Sequence, residues 1–173
     1  MVFTCVTLRA LLVGVLALAA IGKLRSRDRL RAFAASVAAL GRIPPGAAGV
    51  LSPLVPCAEL ATAGLIAWPP TARLGCAAAL AMLAGFTVVL AGTLARGSPA
   101  PCNCFGGSAE PVRAGHLARN GLLLLAAGSG LLLSDAAPVP AVAGVLVLGL
   151  ALGTGAAFLV SRWDDLHRLL TTH

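Results

Sequence analysis

The chain has no tyrosine, two tryptophans and five phenylalanines. So few aromatics exclude an aromatic-lined cofactor pocket and a surface on which nucleic-acid bases stack. Charge is equally sparse: 11% of residues are charged and six of the 173 are acidic. A soluble domain carries about a quarter of its residues charged, so this chain cannot clothe a core in water. With 58% hydrophobic residues and a mean hydropathy of +0.93, its apolar surface must face lipid. The net charge of +7 comes from basic residues in the short gaps between apolar runs. That distribution suits membrane topology signals and anionic lipid, and it excludes a nucleic-acid partner.

What is present is a series of apolar segments, roughly Val2 to Gly22, Pro53 to Trp68, Thr71 to Leu94, Leu117 to Ser134 and Ala136 to Val160. About 20 residues cross a bilayer core, and helices satisfy every backbone group there without closing a barrel. The fold class expected is an all-α integral membrane protein. A four-helix transmembrane bundle forms its core, with a fifth C-terminal span and a short interfacial helix in the first loop. Ser52 and Pro53 read as the N-cap and first residue of the second span. Residues 1–20 also read as a cleavable signal peptide, although the chain runs straight on into IGKLRSRDRL. Leu30, Phe33, Val37 and Leu40 recur at helical spacing behind Arg27, Asp28, Arg29 and Arg31, which makes the first-loop helix amphipathic.

Five cysteines give no even disulfide framework. Cys5, Cys57 and Cys76 lie in Ala-rich helical segments, where cysteine acts as a small hydrophobe. Cys102 and Cys104 differ, because SPAPCNCFGG is a polar loop and packing does not explain them. Two thiols one residue apart can close into a strained disulfide, and strain makes a disulfide more oxidising. Arg96, Arg113 and Arg119 are available to stabilise a thiolate. Cu(I) or half of a zinc site is the competing reading. Zinc wants four ligands, however, and His116 is the one nearby imidazole, so no resident metal is expected.

Glu59 falls inside the second span, where an ionisable group is costly and normally has a partner. Counting from Pro53 puts it roughly 9 Å deep, comparable with Arg119 and Asn120 at the head of the fourth span. Glu59 with Arg119 is the expected pair, with Asn120 bonded to either.

GKL (22–24), Phe33, Pro44, Pro45, Pro56, Glu59, Phe86, RG (96–97), CNCFGG (102–107) and RN (119–120) occur in an order that resembles the MauE family of DoxX-type, redox-associated membrane proteins. The resemblance covers about residues 10–135 of a single membrane domain, 1–173; the added span, 136–160, and the polar tail, 161–173, lie outside it. It implies a role in methylamine utilisation, in which a thioredoxin-like partner helps to mature methylamine dehydrogenase. Carried over, Cys102 and Cys104 become a redox pair that assists disulfide formation in an exported client. Lys23, Glu59, Arg119 and Asn120 become its polar framework. The layout is also similar, in architecture alone, to vitamin K epoxide reductases. Asn103 departs from the glycine expected between the two cysteines.

If the exchange turns over, the chain is a thiol–disulfide oxidoreductase, with a quinone between helices as one destination for the electrons. If it does not, the chain is a non-catalytic membrane anchor or assembly factor. The expected location is a bacterial cytoplasmic membrane. Of the thirteen Lys and Arg residues, all but Arg9 and Arg73 fall on the side of the Cys102/Cys104 loop, which the positive-inside rule assigns to the cytoplasm. Disulfide chemistry favours the oxidising outer side, and the outer side is preferred here.

Overall fold

The computed structural model describes residues 2–98, 101–102, 110–133 and 143–162. Its elements are α1 (Val2–Leu24), α2 (Arg27–Gly41), α3 (Pro45–Ala67), a 3-10 turn (Pro69–Thr71), α4 (Ala72–Ala95), the two-residue strands β1 (Pro101–Cys102) and β2 (Glu110–Pro111), α5 (Ala114–Leu133) and α6 (Ala143–Ser161). Four stretches, Val2–Leu24, Pro45–Ala67, Pro69–Ala95 and Ala114–Leu133, are long and apolar enough to cross a membrane. The fifth expected span corresponds to α6, whose apolar part, Leu146–Ser161, is shorter. The leading residues 136–142 of that expected span lie outside the described residues.

Helix α3 corrects the expected start of the second span. Pro44 is its N-cap and Pro45 opens it, eight residues before Pro53. Ser52-Pro53 imitates a cap because the same residue types serve both purposes. Inside a helix, Pro53 leaves the carbonyl four residues earlier without its N–H partner. That carbonyl belongs to Gly49, and the Ser52 hydroxyl donates to it at 3.1 Å. In lipid a neighbouring hydroxyl is a standard repair for such a group, so the helix runs on through both Pro53 and Pro56.

The other end of α3 is closed from a distance in sequence. Arg9 donates to the Ile66 carbonyl through Nε (3.0 Å) and Nη2 (2.7 Å), and to Ala67 at 3.2 Å. Thr71 Oγ1 donates to Leu65 at 2.8 Å. These groups satisfy carbonyls that the helix itself cannot, and α4 crosses close by at Gly75. A Cβ on Gly75 would lie 2.6 Å from the Ile66 nitrogen. Replacing Arg9 by Leu strands those carbonyls in apolar surroundings and is expected to cost about 2 kcal/mol, as charged hydrogen bonds do. A lowered thermal midpoint in detergent, with helix content unchanged at low temperature, is the readout.

The bundle is divided along its length. At one end Leu12, Val15 and Leu16 of α1, Ala63 and Ile66 of α3, Cys76, Ala79 and Leu83 of α4, and Leu123, Ala126 and Ala127 of α5 make a dry core. At the other end every helix that crosses contributes buried polar groups: Lys23, Ser52 and Glu59, Thr93, and His116, Arg119 and Asn120. Successive spans run in opposite directions, so the polar residues sit late in α1 and α4 and early to mid-way in α3 and α5. Helix α2 packs against α1, α3 and α4 at this polar end. Its apolar face, around Leu30, Phe33, Val37 and Leu40, turns to the bundle with Phe33 buried deepest. Ser26 caps its start by accepting from the Arg29 N–H, and Arg42, at φ 52°, ends it in the left-handed region.

Candidate functional site

The centre of the polar end is an ion pair. Lys23 Nζ donates to Glu59 Oε1 at 2.7 Å and Oε2 at 2.9 Å, with side-chain exposures of 1% and 4%. Its third donor reaches the Ala19 carbonyl at 3.3 Å. All three ammonium protons are therefore committed. The Phe33 ring of α2 covers the same nitrogen, with its centroid 5.1 Å away, inside the range of a cation–π contact.

This replaces the expected Glu59–Arg119 pair. The reason is the start of α3: eight extra residues shift Glu59 by roughly 12 Å along the helix axis, to its fifteenth residue, whereas Arg119 is only the sixth of α5. Arg119 is nevertheless buried, with 1% exposure. Asn120 does not reach Glu59 either; its Nδ2 donates to Thr87 Oγ1 of α4 at 3.4 Å. Thr87 and the Phe33 lid went unrecognised in the sequence. One signal for the true pair was available: Lys23 is the only lysine beside twelve arginines, and it sits in GKL at the end of the first span.

Helix α2 ties this pair to the cysteine loop. Strand β1 packs against α2, and its antiparallel register sets Pro101 opposite Pro111 and Cys102 opposite Glu110. Arg96 Nη2 donates to the Leu40 carbonyl of α2 at 3.5 Å and to Thr93 Oγ1 at 3.2 Å, which holds the end of α2 to α4. Leu40, Leu90, Val112 and Leu117 form a small apolar cluster at this end of the bundle. At the head of α5, buried His116 accepts the Arg113 N–H on Nδ1 at 3.2 Å. Cys104 lies outside the described residues, and of Cys102 only the strand position is described. Cys5, Cys57 and Cys76 are not in disulfides; Cys76 is fully buried in the dry core and Cys57 is exposed on α3.

The family model described as methylamine utilisation protein MauE matches residues 1–134. The chain belongs to the MauE family. The match takes in α1 to α5 and begins nearer the N-terminus than the expected residue 10, so Lys23, Phe33, Glu59 and the cysteine loop are all family territory, while α6 lies beyond it. MauE membership makes this a membrane protein of methylamine utilisation. Neither a curated protein nor a solved structure matches the chain.

Two of the basic residues counted for topology, Lys23 and Arg119, are buried within this MauE bundle. They answer to internal partners and packing rather than to a headgroup layer, and so they carry no topology signal. Arg25, Arg27, Arg29, Arg31 and Arg42 around α2 remain exposed.

Proposed function

We propose that this MauE-family chain is a membrane thiol–disulfide exchange component whose working groups are Cys102 and Cys104. In its oxidised form the pair accepts two electrons and two protons from two thiols of an exported client. The client leaves with a disulfide, and the pair becomes a dithiol. A thioredoxin-like partner's disulfide takes the same two electrons and two protons and restores the pair. The observation that carries this reading is the seat of the Cys102 strand: it is backed by α2, which is itself pinned at Phe33 and Leu40. Exposed Arg96 and Arg113 at that end favour a thiolate. A client being oxidised for export fits a loop on the outer face.

The test is labelling with a membrane-impermeant maleimide in intact cells, before and after mild reduction, in the wild type and in Cys102→Ser and Cys104→Ser. Labelling of the wild-type pair only after reduction is expected. Each single serine variant should label without reductant and lose client oxidation while remaining in the membrane. Client oxidation that survives both substitutions leaves the anchor role standing instead. Reoxidation that depends on added quinone rather than on the thioredoxin-like protein moves the electron acceptor and keeps the pair's role.

A further inference from the structure

Helix α2 is amphipathic, yet its apolar face is turned to the bundle, so a different face must meet the membrane surface. Its position is fixed toward both ends. Phe33 lies over Lys23, the next-to-last residue of α1, and the Leu40 carbonyl accepts from Arg96, which caps the end of α4. Helix α2 therefore crosses from the end of one span to the end of another, over roughly 22 Å for its 15 residues. The face left outside carries Asp28, Arg31, Ala35, Ala39 and Arg42 at helical spacing, all of them exposed.

Residues 25–42 contain five arginines and one acid, Asp28, which is paired with Arg31 at 3.3 Å. Among the described residues, no side chain or carbonyl engages the guanidinium groups of Arg25, Arg27 or Arg42. Arg9 and Arg96, by contrast, are spent on helix carbonyls. The three unengaged groups stand where a span meets the headgroup layer. Arg25 directly follows α1, whose Ile21 and Leu24 are turned outward, and Arg42 lies just before the Pro44 cap of α3. Arg42 also sits at φ 52°, in the left-handed region where glycine is the usual residue to end a helix. The backbone there gains nothing from a side chain, so what Arg42 contributes is its charge.

We propose that Arg25, Arg27 and Arg42 hold α2 to the headgroup phosphates of anionic phospholipid. The inference is independent of the exchange role. A guanidinium offers two parallel donors to two phosphate oxygens, and arginines beside a span are drawn to an anionic surface. Phosphatidylcholine carries the same phosphate but offsets it with its own cation, so the preference falls on lipids of net negative charge.

The experiment places the full chain in phosphatidylcholine bilayers and compares the association of spin-labelled phosphatidylglycerol with that of spin-labelled phosphatidylcholine. The two leaflets are then identical, and the orientation of the chain does not enter. The wild type is expected to prefer phosphatidylglycerol at least about tenfold, and Arg25→Gln/Arg27→Gln/Arg42→Gln to fall within about twofold of no preference. Asp28→Asn/Arg31→Gln removes the neighbouring pair without changing net charge and should keep the wild-type preference. Arg42→Gly should lose about threefold to fivefold of it, the worth of one arginine at an anionic surface. Its thermal midpoint should hold or rise, because glycine accepts the left-handed backbone. Equal preference in the wild type and the triple variant overturns the inference. No preference in the wild type does so too, and leaves these arginines to an acidic protein partner. Loss of preference in Asp28→Asn/Arg31→Gln overturns it as well, since any change to α2 would then have the same effect. Displacement of phosphatidylglycerol by millimolar inorganic phosphate, but not by chloride at equal ionic strength, marks a free-anion pocket and overturns the lipid assignment.

Discussion

Lys23→Met alone is expected to lose about 3–5 kcal/mol of stability, because it leaves the Glu59 carboxylate buried with no counter-charge. Glu59 has 3% exposure and both its oxygens are taken by one ammonium. Both carboxylate oxygens of Glu59 are bonded to Lys23, and Asn120 is engaged with Thr87. The stranded group must therefore take up a proton, draw in water or pull α3 away from α1. Lys23→Met/Glu59→Leu removes both charges and is expected to recover to within about 1 kcal/mol of wild type. Reversible unfolding in mixed micelles, followed by helix content, measures both. A double variant no better than the single would mean that the pair's attraction, and not the stranding of its partner, dominates.

Much of this architecture is legible in composition and spacing. Apolar runs of about 20 residues have one solution in lipid, so the helices could be placed before their packing was known. The Leu30, Phe33, Val37, Leu40 stripe likewise marked α2 as an amphipathic helix, but the face expected to lie on the membrane interface is turned to the bundle, with Phe33 buried over Lys23. What failed was the boundary of α3. Ser52-Pro53 carries the signature of a helix start, and only the local repair of the Gly49 carbonyl by Ser52 reveals that the helix passes through. That error was small in sequence but moved Glu59 by more than two turns, enough to assign the wrong partner. Partner choice inside a bundle depends on relative axial shift, which no single helix encodes. The lone lysine held the missing information in a different form. At a buried point contact a compact ammonium and a forked guanidinium are not equivalent, and a chain that otherwise uses arginine throughout departs from its habit at position 23. Cys102 and Cys104 stood out at once as candidates, because two thiols in a polar loop have no packing explanation. The coupling of their loop to α2 did not, since β1 and α2 meet only in three dimensions.

Gly153→Leu is expected to detach α6 from α1. Helices in lipid gain no hydrophobic driving force from touching one another; their association relies on close contact between small residues. Gly149, Gly153 and Ala157 recur every four residues and are the buried positions among the described side chains of α6. They lie against Val6, Thr7, Ala10 and Gly14 of α1: a Cβ on Gly153 would stand 2.5 Å from the Thr7 carbonyl oxygen and 2.6 Å from Ala10 Cβ, and one on Gly14 would stand 2.7 Å from Ala157 Cβ. Because backbone lies directly opposite, no rotamer of α1 can make room, and the two helices must separate. An overpacked site ordinarily costs about 1–3 kcal/mol, which exceeds what a contact held by dispersion alone can absorb. A cysteine pair at Val6 and Gly149 reports the docking, in a background with Cys5→Ala. A Cβ at position 149 falls 3.4 Å from Val6 Cβ, close to the separation that a disulfide spans. Oxidation should join the two positions in the otherwise native chain and fail once Leu occupies 153. Equal cross-linking in both would mean that α6 tolerates the larger residue by sliding along α1. The Lys23–Glu59 pair lies on the opposite, α3-facing side of the contact network, and α6 is outside the family-matched region. The disulfide equilibrium of Cys102 and Cys104 is therefore expected to survive Gly153→Leu unchanged, which makes α6 an addition to the MauE core and not part of its working end.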